Sequence, residues 1–424
     1  MRSPGSAPTA ACPHDRAGRR WHDPAWGAGV TALALLAAAC WAYLLAAHGR
    51  FWSAGPSLAP GVPAAWPAID VVVPARDEAA GIVACLRSLL AQDYRGPLRI
   101  TVVDDGSADG TGAIARALGD PRLRVIDGQP RPPGWSGKLW AVAQGVASGD
   151  APCVLLCDAD VVHEPAHVAA LVAQAERFGL DLVSEMVALN CESPAERALV
   201  PAFVFFFQLL YPFAQVNDPA RRAAAAAGGT MLVRRAALAR IGGIEAIRGA
   251  LIDDVALAAA VKGGGRIWLG HSRLARSIRP YPHPADIWRM VARTAYVQLR
   301  FSPSLLLGTV LGLALIWLAP PALTLFGHGA ARWLGAAAWA ASAASYLPTL
   351  RRFGQSPAWA LALPLVATFY MAATIGSAID HHRGRGVTWK RRAYVGPGRQ
   401  APGRQGPGRQ GPGRQGPGRQ GAGG

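Results

Sequence analysis

From residue 27 to residue 47 the chain runs GAGVTALALLAAACWAYLLAA without one charged side chain, and its length matches the roughly 20 residues that carry a helix across a bilayer. A cleaved signal needs a shorter apolar core and a small-residue cleavage site, and a lipoprotein box needs a larger aliphatic residue where Ala37 stands, three before Cys40. The apolar run also continues past Cys40, so residues 27–47 read as a transmembrane anchor behind a basic segment, 1–26. Apolar stretches at 304–326, 333–350 and 358–379 make residues 304–379 a set of about three further membrane helices, kinked at Pro320-Pro321 and Pro364.

Composition agrees with a chain partly in lipid: 51% of its 424 residues are hydrophobic and only 16% charged. The formal charge of +17 is misleading about partners. Ten lysines and arginines follow Asp380 with no acid among them, so the excess sits largely in the tail, 380–424. A folded nucleic-acid-binding face, with basic residues interleaved by aromatics, is not supported. The repeated Gly-Pro-Gly-Arg-Gln of that tail is low-complexity sequence that cannot bury a core. Six cysteines at 12, 40, 85, 153, 157 and 191 lack the spacing of a zinc or disulfide framework and read as free thiols.

Between the anchor and residue 304, short apolar runs alternate with amphipathic stretches, the α/β pattern. Strands are expected at 69–73, 98–103, 123–126, 153–157 and 180–186, and helices at 81–92, 138–147 and 165–178. A largely parallel sheet with covering helices follows, and such sheets take ligands beyond the carboxyl ends of their strands. Carboxylates gather there: Arg76-Asp77-Glu78 after the first run, Asp104-Asp105 after the second, Asp158-Ala159-Asp160 after the fourth. No GxGxxG or P-loop follows the first strand. Asp158 and Asp160 are spaced to converge on one hard divalent cation, Mg²⁺ or Mn²⁺, with a nucleotide diphosphate supplying further oxygens.

The segments PARDE, VVDDGSADGT, Gly137-Lys138, CDAD and LIDDVALA, in that order, resemble a family 2 glycosyltransferase with the GT-A fold over residues 69–301. The segment 289–303, RMVARTAYVQLRFSP, and the flanking apolar helices resemble the hopanoid-biosynthesis-associated branch of that family. The resemblance implies that Pro74, Arg76 and Glu78 border a nucleotide pocket, that Asp104 or Asp105 bonds the base or ribose, that Asp158 and Asp160 form the metal motif, and that Lys138 lies near the diphosphate. Asp77 and Asp109 are equally explained as helix caps. Of Asp253-Asp254, one acid is free to cap its helix, and the second, Asp254, matches the family's general base, which takes the proton from the acceptor hydroxyl. Gln298-Leu299-Arg300-Phe301 is similar to the Gln-x-x-Arg-Trp motif of processive synthases but one residue shorter, with Phe for Trp, which argues against polymer synthesis. Arg300 is placed either to neutralise a departing diphosphate or to meet lipid phosphates.

The implied activity is transfer of a sugar from a nucleotide-diphosphate donor to a lipid acceptor by a multi-pass protein of the inner membrane, its catalytic domain in the cytoplasm where such donors are made. A polyprenyl-phosphate sugar transferase or a polysaccharide synthase is the neighbouring alternative. A fold-retaining scaffold without catalysis is the competing class, and the joint presence of Asp158, Asp160 and Asp254 argues against it. The uncharged, aromatic-rich stretch 200–216 is expected to be an interfacial helix on the bilayer, with a core helix as the alternative.

Overall fold

The computed structural model describes residues 24–384 and the backbone of 387–389 and 392–394. Most of segment 1–26, Cys12 and the Gly-Pro-Gly-Arg-Gln repeats lie outside the described residues. Eight strands form one sheet: β1 (Ile69–Ala75), β2 (Leu98–Asp104), β3 (Leu123–Asp127), β4 (Cys153–Cys157), β5 (Val161–His163), β6 (Leu182–Ala188), β7 (Thr230–Arg234) and β8 (Ile267–Ser277). Their spatial order is β3-β2-β1-β4-β7-β6-β8-β5. The expected runs became β1 to β4 and β6, and the first four of these pair in parallel as expected. Beyond β4 the sheet is mixed, because β7 runs antiparallel to both β4 and β6, and β5 antiparallel to β8.

Apolar runs such as Ile-Asp-Val-Val-Val suit strands covered on both faces, and every residue of β1 is buried. The one charge in that run, Asp70, is held by Arg99 Nε at 2.9 Å, Arg235 Nη2 at 2.7 Å and the Ala151 N–H at 2.8 Å. Helices α1 (Pro24–Ala46), α2 (Ile82–Leu90), α3 (Gly137–Ala147), α4 (His167–Phe178), α5 (Pro194–Leu210), α6 (Asp253–Lys262) and α7 (Pro284–Ala292) precede α8 (Pro303–Phe326), α9 (Gly329–Arg352) and α10 (Leu363–His382). Three of them, Gly27–Ala46 within α1, α8 and α10, are long and apolar enough to cross a membrane. The middle stretch of the expected closing set lies in α9, a 24-residue helix that carries Arg332, Arg351 and Arg352 and falls short of that apolarity.

The stretch 200–216 departs from the interfacial expectation. Its helix, α5, begins at a Ser193/Glu196 capping box and ends before Pro212, which cannot continue it. Phe205 is fully buried, with Phe51, Trp317 and Tyr346 around its ring at 5.1 to 6.0 Å. Protein rather than lipid covers this face, and α5 is the joint between the sheet domain and the apolar helices. Helix α10 follows the sheet domain along its length: Tyr370 Oη donates to the Leu199 carbonyl at 2.8 Å, Ser377 Oγ to the Ala292 carbonyl at 2.5 Å, and His382 Nε2 meets Tyr296 Oη at 3.2 Å.

Candidate active site

A cavity of about 730 Å³ opens beyond the C-terminal ends of β1 and β4. Its wall brings together Pro74, Glu78, Lys138, Asp158, Asp160, Asp253 and Asp254. Lys138 is the hub: its Nζ lies 3.0 Å from Asp158 Oδ1 and 3.1 Å from Asp253 Oδ2, which ties the turn after β4 to the first turn of α6. Ser136 caps α3 by accepting from Leu139 N, and so starts the helix that aims Lys138 into the cavity. Burial pushes the Lys138 pKa down, but Asp158 and Asp253 outweigh it and hold the ammonium above its usual range.

The N-cap of α6 is Ile252, which makes no side-chain cap, so neither acid of the Asp253-Asp254 pair is the N-cap that the sequence allowed. Asp254 instead accepts from the N–H of Val255 at 2.8 Å. Burial, then the adjacent Asp253 charge, push its pKa up to about 7. A Cβ on Gly228 would stand 3.3 Å from Asp254 Oδ2, closer than most Cβ contacts come, and in ordinary contact with Lys138 Nζ at 3.5 Å, so a bare backbone leaves room in this corner.

Arg279 was not singled out by the sequence, yet it governs the other side. Its guanidinium spans Glu78 Oε1 and Oε2, at 2.7 and 2.9 Å, and Asp160 Oδ2 at 2.9 Å, where Ser277 Oγ also donates at 2.9 Å. Each acid of the Asp-x-Asp motif is therefore braced through one oxygen by a cation of the chain. No cluster of three or more His, Cys, Asp or Glu that could hold a metal occurs among the described residues. A pair of carboxylates is a hard-oxygen donor set that fits Mg²⁺ or Mn²⁺ when a diphosphate and water complete the shell.

Arg76, Asp104 and Asp105 stand beside the cavity, outside its wall. Arg76 Nη1 donates to the Asp105 carbonyl at 2.5 Å, and Asp104 Oδ1 accepts from Ser107 N at 2.9 Å and Oγ at 2.5 Å. Asp77 accepts from Ala108 N and Asp109 from Ala79 N, so these two acids lace the loops after β1 and β2 together. Arg300 is exposed and outside the wall, at φ 52°; Phe301, at φ 55°, belongs to the wall and stacks on His381 at 4.4 Å. A second group the sequence reading missed is buried behind the motif turn. His163 Nδ1 meets His167 Nδ1 at 3.0 Å, and His167 Nε2 meets Glu185 Oε1 at 2.5 Å. The i, i+4 spacing of the two histidines was the only available signal.

The other half of the cavity is apolar and aromatic. Phe203 and Phe207 of α5, Trp288 and Met290 of α7, and Tyr296 lead from Asp254 to Ser377, Asp380 and His381 near the end of α10. Trp288 packs edge-on against Phe369, and a Cβ on Gly376 would come within 2.7 Å of its ring.

A mixed sheet with acidic loops over its C-terminal edge is the GT-A arrangement, and the comparisons agree. Residues 70–242 match the model of glycosyl transferase family 2. A mannosyltransferase from Pyrobaculum calidifontis, solved with GDP-Man and Mn²⁺, shares the fold over 83% of this chain and 99% of its own, with a TM-score of 0.52 at 22% identity. An N-acetylglucosaminyltransferase of Azorhizobium caulinodans is 32% identical over 132 residues, 30% of this chain and 32% of that protein. One from Bradyrhizobium elkanii is 37% identical over 100 residues, 23% and 53%. A 4,4'-diaponeurosporenoate glycosyltransferase of Staphylococcus aureus is 34% identical over 94 residues, 22% and 24%. The chain thus spans about a third and about half the length of the two N-acetylglucosaminyltransferases.

Proposed function

We propose that this chain is an inverting, membrane-bound glycosyltransferase that moves a sugar from a nucleotide-diphosphate donor to a lipid acceptor at the cytoplasmic face of the inner membrane. The observation that carries the reading is one continuous cavity, with paired carboxylates at one end and an aromatic wall shared with the apolar helix α10 at the other. The likeness to a 4,4'-diaponeurosporenoate glycosyltransferase supports an acceptor of lipid character. The hopanoid-type acceptor rests on the segment 289–303, several of whose residues between Arg289 and Phe301 line that cavity.

In this reading Asp158 and Asp160 hold a divalent cation, which when bound offsets charge on the diphosphate. Lys138 lies against the same acids and steadies the leaving group as charge develops on it. Asp254 takes the acceptor's proton while the acceptor oxygen attacks the anomeric carbon from the face opposite the diphosphate. Arg279 keeps Asp160 and Glu78 in place.

The test is donor turnover by the purified full chain with a panel of UDP- and GDP-sugars, with and without Mn²⁺ or Mg²⁺. Metal-dependent release of nucleoside diphosphate is expected, and its loss in Asp160→Ala with the fold retained. Equal turnover in Asp160→Ala, or none with any donor, contradicts the assignment.

A further inference from the structure

The end of the anchor and the end of α9 meet on one turn of chain, well away from the cavity. The apolar run of α1 stops at Ala46, and the residues after it fold back on its last turn. Trp52 Nε1 donates to the Leu45 carbonyl at 3.0 Å, and His48 Nε2 meets the Leu209 carbonyl at 2.8 Å. An indole held at the last turn of an apolar helix marks the level of the headgroups of a bilayer. Arg352, the last residue of α9, reaches the same turn, its Nη2 2.7 Å from the Ala54 carbonyl and 3.1 Å from Ser57 Oγ. Ser57 bridges to His271 of β8, and Arg273, two residues further along that strand, is close enough to Arg352 for the two charges to repel.

Positive charge collects here with no acid to balance it. Arg50, Arg273 and Arg351 are exposed, Arg352 is half-buried, and none of the four has a carboxylate partner among the described residues. His271, buried beside them, is uncharged, because burial and then the Arg352 charge pull its pKa down to about 3. A cation in the last turn of a helix is stabilised by the helix dipole without any ligand, but that accounts for Arg351 and Arg352 alone. Arg50 lies in the left-handed region at φ 49°, directly after Gly49 at φ 61°, a conformation that glycine adopts freely and arginine does not. Gly49 has a steric reason to be glycine, since a Cβ there would stand 2.8 Å from Pro212 Cβ and Gln215 Nε2. No packing accounts for the exposed arginine that follows it.

We propose that the notch between the ends of α1 and α9 binds the headgroup phosphate of an anionic phospholipid from the surrounding leaflet. The planar guanidinium forks of Arg352 and Arg273 suit the oxygens of one phosphate. Arg50 and Arg351 strengthen the local field that draws it in. The acyl chains of the same molecule lie against α1, where Leu35, Leu36 and Tyr43 are exposed. A lipid held in this way fixes the turn 47–57, and with it β8, at the bilayer surface. The inference rests on the membrane-bound part of the reading above and is independent of the sugar, the donor and the acceptor.

The experiment places the full chain in phosphatidylcholine nanodiscs doped with a trace of phosphatidylglycerol or phosphatidylcholine, each carrying the same diazirine near its glycerol. Labelled peptides are mapped and quantified by mass spectrometry, so that lipid held by the basic tail is counted apart. Labelling of 48–57 and 351–355 by the phosphatidylglycerol probe is expected to exceed that by the phosphatidylcholine probe by about tenfold or more, and to fall about fivefold in each of Arg50→Gly, Arg273→Gln and Arg352→Gln. Arg50→Gly also relieves the left-handed backbone, so its Tm should be unchanged or higher while its labelling falls. Equal labelling by the two probes, or labelling that none of the three variants weakens, overturns the proposal. Loss of labelling in millimolar inorganic phosphate identifies a site for soluble anions and overturns it as well. If neither probe labels α1 or α8, the membrane reading itself is struck and the proposal falls with it.

Discussion

Asp253 and Asp254 are neighbours in sequence and differ in what they touch. Asp253 is bound to Lys138, whereas Asp254 has the Val255 N–H and a half-buried setting beside the Asp253 charge that favours its neutral form. A carboxyl with its pKa near 7 is present increasingly as the basic carboxylate as the solution is made less acidic. Transfer should therefore rise as pH climbs through about 7 and level off above it. Asp254→Asn should keep donor affinity, lose transfer by about a hundredfold or more, and abolish that rising limb. A pH–rate profile on both proteins checks this, and Asp253→Asn as the more damaging variant would reverse the two roles. In the proposed reading the Lys138 clamp makes Asp253 the poorer base, because an ammonium already sits 3.1 Å from its carboxylate.

At the scale of elements, α3 lies so close to β1 that a Cβ on Gly145 would come within 2.3 Å of Val72 Cγ1. Gly145→Ala should destabilise the domain by about 1–3 kcal/mol, the usual cost of overpacking, despite alanine's better helix propensity. Urea unfolding in detergent measures it, and a neutral or stabilising result would mean that the helix can move off the sheet. Strands β1 to β4 and β6 were legible because uninterrupted apolar runs bounded by turn residues have few other uses. β7 was hidden beside an alanine run, and β8 mixes Gly270, His271 and two arginines into its length, so only pairing partners far along the chain reveal them. The site divides in the same way. Acids at strand ends announce themselves, while Arg279 meets Glu78 and Asp160 from 201 and 119 residues away, which no local pattern records. The run 200–216 was correctly seen as needing cover, but an apolar sequence does not say whether the cover is lipid or protein.

For the whole molecule, the contacts of the apolar helices suggest how many times the chain crosses. α8 leaves the sheet domain just after Phe301, and α9 comes back to it at Arg352, whose Nη2 donates to the Ala54 carbonyl at 2.7 Å. Gln355 then meets Cys191 at 3.6 Å, and α10 keeps to the sheet domain as far as His382. A topology in which α8 goes out, α9 returns despite its arginines, and α10, though apolar enough to span, lies along the domain leaves residue 384 on the domain's own side. That removes the conflict with the positive-inside rule which three closing spans would create. A reporter fused at residue 395 is expected to be active only when read in the cytoplasm, and periplasmic activity would refute the arrangement. The wall of the reaction chamber contributed by Ser377, Asp380 and His381 has a consequence for how such a chain diversifies. On the proposed reading, part of acceptor choice is inherited with α10 while Phe203, Phe207, Trp288 and Tyr296 stay with the sheet domain, so recombination at the short turn 299–302 would rewrite only part of the acceptor wall and leave the paired carboxylates intact.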